Sequence, residues 1–339
     1  MNEKRIIWID YLKAFACFLV VIGHLLQSFQ KSNIDIFINV TTIINWIIYL
    51  FHMPLFIMIS GFLYCKEKKI NTFSEYKNFI LKKIINLMVP YVFFYTIFVG
   101  INMLFSDNVN NSLDINDLLG IINNPISPYW FLYALTSIFI FIPFLEKICN
   151  NNKNIICSIL IIFKMVSFFI DTKLYFINSI MKFGIYFYLG KFISLKNNNK
   201  YTVCNLLYVI LYLVFALGYY FIKNNLNLLT NEIIRFIFAL FGIYIFVGLF
   251  KNINHSKVLD TFKKYTFQIY LLHTIFAAGI RIVLLKFGIK DYFIHFMFGM
   301  FFSIYMPVLI SKISEKIKYT NFLFYPTKTI EELEGRNLR

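Results

Sequence analysis

Three histidines, a lysine and an arginine fall inside stretches of sequence that otherwise suit hydrocarbon. His24 follows Lys13 by eleven residues, about three helical turns, so the two side chains share a face. Asp10, Cys17, Gln27 and Ser28 lie close to the same stripe. With about 1.5 Å of rise per residue, Lys13 lies roughly 10 Å into the run and His24 about 16 Å further on. His52 occupies a second run, with Thr41, Thr42, Asn45 and Tyr49 on a similar stripe. A later run holds Gln268, Tyr270, His273 and Arg281. Ionisable groups at membrane depth line cavities, pair with one another, or handle protons and substrates. Imidazole titrates near neutrality, so it can exchange a proton with a bound group. One reading of the Lys13 and His24 stripe is a polar path that handles a proton or a substrate. The alternative is that Asp10 and Lys13 merely neutralise one another while His24 and His52 bond neighbouring carbonyls.

Other residues admit a functional and a plainer reading. Arg281 is deep enough to need a partner or a hydrated cavity, whereas Arg235, Lys164 and Lys182 can snorkel to an interface. Pro54 lacks a backbone donor and frees the Leu50 carbonyl beside His52. Ser60 and Gly61 offer small surfaces for close helix contact. Lys77, Lys82 and Lys83 precede Pro90-Tyr91; a point cation suits a phosphate, but lysines there also serve topology. His255 and His295 fall near the ends of runs, where interfacial histidines are ordinary. The five cysteines are scattered and show no metal-ligand or disulfide spacing, so no metal is expected and Cys17 reads as a buried thiol.

The elements that must position these groups are membrane spans. Hydrophobic residues make up 59% of the 339, aromatics 20% and charged residues 15%, and mean hydropathy is +0.67. No single soluble core hides that much apolar surface, and apolar runs of about 18 residues or more recur along the chain. The fold class expected is an all-α polytopic bundle of about ten transmembrane helices, at 6–29, 38–64, 84–105, 128–146, 155–171, 175–194, 202–222, 232–250, 265–286 and 291–312. The first run is too long for a signal-peptide core and reads as a retained span. Segment 106–127, rich in Asn and Asp, is long enough for a small external loop or helix.

Charge sets an expected orientation. Segments on the side of the N-terminus carry 23 Lys and Arg, against 5 on the opposite side, which predicts both termini in the cytoplasm. The formal net charge of +16 is thereby explained as topogenic, and a nucleic-acid partner is not expected. Residues 315–339 read as a loosely ordered cytoplasmic tail.

Taken together these residues resemble the acyltransferase 3 family of integral membrane proteins. The matching pieces are the basic residue and histidine of span 1 (Lys13, His24), Phe51-His-Met-Pro-Leu-Phe with Ser60-Gly-Phe, and the basic run before Pro90-Tyr91. Tyr129-Trp-Phe-Leu132 and Ile269-Tyr-Leu-Leu-His273 follow in family order. Two departures stand out: Lys13 replaces the usual Arg, and Asn86 stands near where a second Arg is usual. The resemblance implies one membrane domain over 1–314, and acyl transfer, often of acetyl, from cytoplasmic acyl-CoA to a glycan or lipid-linked glycan hydroxyl. It implies His24, Lys13, Asp10 and His52 as the catalytic set. His273, Arg281, Trp130, Tyr270 and Ser60 would then bind substrate, and Lys82 and Lys83 the acyl-CoA donor. The expected setting is the cell membrane, with the lipid bilayer as solvent and glycan-synthesis or export proteins as partners. The rival expectation, from another class, is a transporter or export partner for a polysaccharide or its precursor.

Overall fold

The computed structural model describes residues 6–67, 70, 72–195, 206–251, 253 and 257–335. Among them the regular structure is helical, with no strand. The long helices are α1 (Ile7–Lys31), α2 (Ile38–Tyr64) and α3 (Phe73–Leu104), then, after the short α4 (Ile115–Leu119), α5 (Trp130–Ile148). They are followed by α6 (Lys153–Val166), α7 (Tyr175–Leu195), α8 (Leu206–Ile222) and α9 (Leu228–Lys251). The short α10 (Lys257–Phe262) leads into α11 (Thr266–Lys286) and α12 (Tyr292–Ser314), and α13 (Lys318–Phe324) and α14 (Pro326–Leu333) follow. Eight of the described helices are long and apolar enough to cross a membrane. Bulky apolar side chains such as Leu207, Val214 and Phe215 on α8 remain exposed, as befits a surface facing lipid. The chain is an all-α, multi-pass membrane protein.

The two remaining expected spans are helices that miss that criterion. α6 has 14 residues, about 21 Å of helix, short of the roughly 30 Å hydrocarbon thickness. It stops at Val166, well before the expected 171. α7 is long enough with 21 residues, but it carries Asn178, Ser179, Lys182 and Lys191, and packs inside the bundle rather than against lipid. Its main partner is α2, and two glycines explain the closeness. A Cβ on Gly61 would lie 1.8 Å from the Phe187 carbonyl oxygen, and one on Gly190 would lie 1.9 Å from that of Met58. Each helix thus presents a glycine to the other's backbone.

α3 differs at its start. It begins eleven residues before the expected span because Thr72 and Glu75 form a capping box, and its 32 residues make about 48 Å of helix, more than a bilayer needs. The first turns therefore project beyond the apolar layer. The tail is a second difference. Residues read as loosely ordered form α13 and α14, docked on α3: Phe324 meets Phe94 with ring centroids 5.3 Å apart. Asn86 Oδ1 accepts from the Thr327 backbone N and Oγ at 3.1 and 2.8 Å. Gln268 Nε2 also donates to the Tyr325 hydroxyl at 2.6 Å. Sequence polarity concealed this packing because a few anchoring side chains carry it.

Lys164 does not snorkel: it is buried, its ammonium 5.1 Å from the ring centre of Phe168 and 5.7 Å from that of Tyr186, an arrangement favourable to a desolvated cation. Lys182 pairs with Asp171 and Arg235 with Glu232, each at 3.3 Å.

Candidate functional site

α1 and α11 lie side by side, and their polar positions meet across the contact. The rings of His24 and His273 have centroids 5.1 Å apart at 48°. His273 is fully buried, with Nδ1 3.0 Å from the Ile269 carbonyl and 2.8 Å from that of Tyr270. Those acceptors place the ring hydrogen on Nδ1 and leave Nε2 as a lone-pair nitrogen, which is buried without a hydrogen-bond partner. His52 repeats the device on α2: Nδ1 is 2.8 Å from the Ile48 carbonyl, and Tyr49 packs edge-on at 4.6 Å. His24 is within electrostatic range of both other imidazoles. α2 continues through Pro54, and the carbonyl held by His52 belongs to Ile48 rather than Leu50.

His24 is half-buried and faces a cavity of about 370 Å³. Gln27, Ser28, Asn102, Thr274 and Arg281 supply polar lining, while Phe98, Leu113, Ile126 and Ala277 supply an apolar wall. Arg281 Nη1 donates to Ser28 Oγ at 2.6 Å, one turn along α1 from His24. Lys31, Asn110 and Asn111 also line it, toward the end of α1 remote from the N-terminus. Segment 106–127 therefore reaches the site. It is anchored by the Tyr95 hydroxyl on the Asp117 carbonyl at 2.6 Å, by the Tyr91 hydroxyl on the Ile121 carbonyl, and by Asn110 Nδ2 on the Ser28 carbonyl at 2.8 Å. The side chains of Asp114 and Asp117 form a capping box on α4. Hydrogen bonds from the backbone N–H of Asp117 and from Asn116 hold the Asp114 carboxyl below its usual pKa.

The structure gathers some of the expected residues and separates others. His24 and Arg281 line the cavity, and His273 lies behind His24, outside the lining, with His52 within electrostatic range of His24. Lys13 does not line it; it lies about 16 Å back along α1, with Asp10 Oδ1 3.8 Å away. Tyr270 is buried and its hydroxyl donates to the Pro128 carbonyl, while Tyr129 donates to Leu271 at 2.9 Å. These two bonds tie the start of α5 to α11 beneath His273. Ser60 Oγ donates within α2 to Phe56 at 3.0 Å. Trp130 stacks on Phe183 with centroids 5.5 Å apart and lines a second cavity with Asn178 and Lys182. Lys82 and Lys83 are ion-paired, with Glu331 at 2.7 Å and Glu67 at 2.5 Å.

Sequence reasoning passed over Asn102, Asn110 and Thr274. Asn102 was signalled by an amide inside an apolar run, and Thr274 by its position beside His273. Nothing local distinguished Asn110 from the other asparagines of its loop. The sequence suggests an interfacial His295, and the structure differs. The residue is buried, with Nε2 2.9 Å from the Ile289 carbonyl, because α12 turns its first residues against Phe29. His255 and Cys204 lie outside the described residues. Among the described residues no group of three or more His, Cys, Asp and Glu side chains could hold a metal.

The sequence profile of the acyltransferase 3 family, described as an acyltransferase domain, matches residues 6–312. Nodulation protein NolL of Sinorhizobium fredii (strain NBRC 101917 / NGR234) is 27% identical over 174 residues, covering 48% of this chain and 43% of that protein. Nodulation protein NolL of Mesorhizobium japonicum (strain LMG 29417 / CECT 9101 / MAFF 303099) is 29% identical over 147 residues, covering 42% of this chain and 36% of that protein. The matched stretch thus spans less than half the length of these relatives. No solved structure matches.

Proposed function

Because the chain belongs to the acyltransferase 3 family, we propose that it is a membrane-bound O-acyltransferase that moves an acyl group, such as acetyl, from acyl-CoA to a hydroxyl of a glycan or lipid-linked glycan. The observation that carries this reading is the imidazole pair: His24 beside a buried His273, with His24 open to a cavity that Gln27, Ser28, Asn102 and Arg281 also line.

In the reaction, the acceptor hydroxyl gives its proton to His24 as its oxygen attacks the thioester carbonyl. The carbon–sulfur bond then breaks, and the thiolate leaves with the proton that His24 held. His273 keeps its Nδ1 hydrogen on the α11 carbonyls, and its ring beside His24 supports the positive charge that His24 acquires. The 23-to-5 bias of Lys and Arg supports an orientation with both termini cytoplasmic. On that orientation the donor approaches past Lys13 and Asp10, and the acceptor enters through the Lys31 and Asn110 end, in the cell membrane.

The test is acyl-CoA turnover by purified full-length protein in nanodiscs, with and without a glycan acceptor. Turnover that persists at the wild-type rate in His24→Ala removes the assignment. Vectorial movement of glycan without any thioester cleavage supports a transporter instead.

A further inference from the structure

Arg281 lies two turns beyond His273 on α11 and is 3% exposed. Its Nη1 is held by Ser28 Oγ at 2.6 Å, while its Nε is buried without a hydrogen-bond partner. No Asp or Glu lines the cavity, and no carboxylate among the described residues forms an ion pair with this guanidinium. A desolvated cation without a counter-charge is costly to hold, and a planar guanidinium fork matches carboxylate or phosphate oxygens. Lys31 adds a second cation to the lining, and Gln27, Asn102 and Asn110 contribute neutral amides.

Resting on the acyl-transfer reading above, we propose that Arg281 and Lys31 form an anion subsite for the acceptor, so that the glycan offered to His24 carries a carboxylate or a phosphate close to the reacting hydroxyl. Ser28, which holds Arg281, is four residues from His24, about 6 Å along α1. That reach corresponds to one sugar ring. The charge therefore sits on the acylated residue or on its immediate neighbour, as a sugar acid or as the phosphate that joins a first sugar to a lipid carrier.

The experiment measures binding to the full-length protein in nanodiscs, with no acyl donor present. The probes are methyl glucuronoside, methyl glucoside and a short-chain polyprenyl phosphate. An anionic probe is expected to bind about tenfold tighter than the neutral glucoside, as an unscreened charge-assisted contact allows. A preference for the uronoside identifies a sugar acid, and one for the prenyl phosphate identifies the carrier. The preference should collapse in Arg281→Gln, and also in Ala278→Glu, which puts a carboxylate on the same wall while Arg281 stays in place. The second variant keeps the test open if the first fails to fold. Equal binding of all three probes by the wild type, a preference that survives in a folded variant, or displacement of the anionic probe by free CoA would each overturn the proposal. Anion binding in a protein that never cleaves a thioester would retire the acyl-transfer reading alone. Acyl transfer without anion preference would retire the subsite alone.

Discussion

An imidazole whose Nδ1 hydrogen is committed to main-chain carbonyls can only receive at its other nitrogen, and two of the three clustered histidines are committed in this way. That leaves His24 as the ring free to exchange its proton with something in the cavity. General-base removal costs about 10²- to 10⁴-fold, and kcat for acyl transfer should fall by that amount in His24→Ala, with the donor's Kd nearly unchanged by isothermal titration. Tyr270→Phe separates positioning from binding. Losing the bond to Pro128 should lower stability by about 1 kcal/mol, read as a fall in Tm, while the KM for the acceptor holds. A several-fold rise in that KM would return Tyr270 to the substrate. At this scale the sequence was informative where a polar type was out of place in hydrocarbon, as for His24, His273 and Arg281. It was silent where function depends on what a side chain meets: the sequence offers Lys82 and Lys83 to a phosphate or to topology, and in the structure they pair with Glu331 and Glu67.

Helices were legible from apolar runs, and their roles were less so. Hydropathy treats α7 as a weak span because Lys182 and Lys191 dilute it, yet α7 is the inner partner of α2. Lys191 reaches Glu146 at 2.6 Å, so its charge is answered inside the protein rather than by water. The apolar run shows only the inner part of α3 because polar turns beyond the bilayer carry no hydrophobic signal, whereas its capping box is written in the sequence as Thr72 and Glu75. The reciprocal glycines give this scale its prediction. Gly61→Ala or Gly190→Ala must push two backbones apart, and overpacking of this kind costs about 1–3 kcal/mol or more. The measurement is thermal unfolding in nanodiscs; a Tm unchanged from wild type would show that α2 and α7 are not in backbone contact.

Across the whole molecule, the two ends of the bundle are closed by different means. One end is covered by α13 and α14, and the Tyr325 hydroxyl at their junction meets Gln268, five residues before His273 on α11. Truncation after Ser314 should uncover Phe94 and Gln268 and lower Tm, with faster hydrogen exchange across the first turns of α11. Unchanged exchange there would mean the tail is dispensable to the bundle. The other end carries segment 106–127. On the proposed orientation, a cysteine at Asn110 in a cysteine-free background should react with a membrane-impermeant maleimide on intact cells, and one at Lys328 only after permeabilisation. The reverse pattern would invert the protein in the membrane.

A chamber of about 370 Å³ sets a limit on what can be decorated there. On the proposed chemistry the acceptor enters from the Lys31 and Asn110 end and the donor from the other, so the chamber takes in the tip of a saccharide. Acylation would then happen while the glycan is still short, or at a finished chain's terminus, so the spacing of acyl marks along a mature polymer would record the size of its building block.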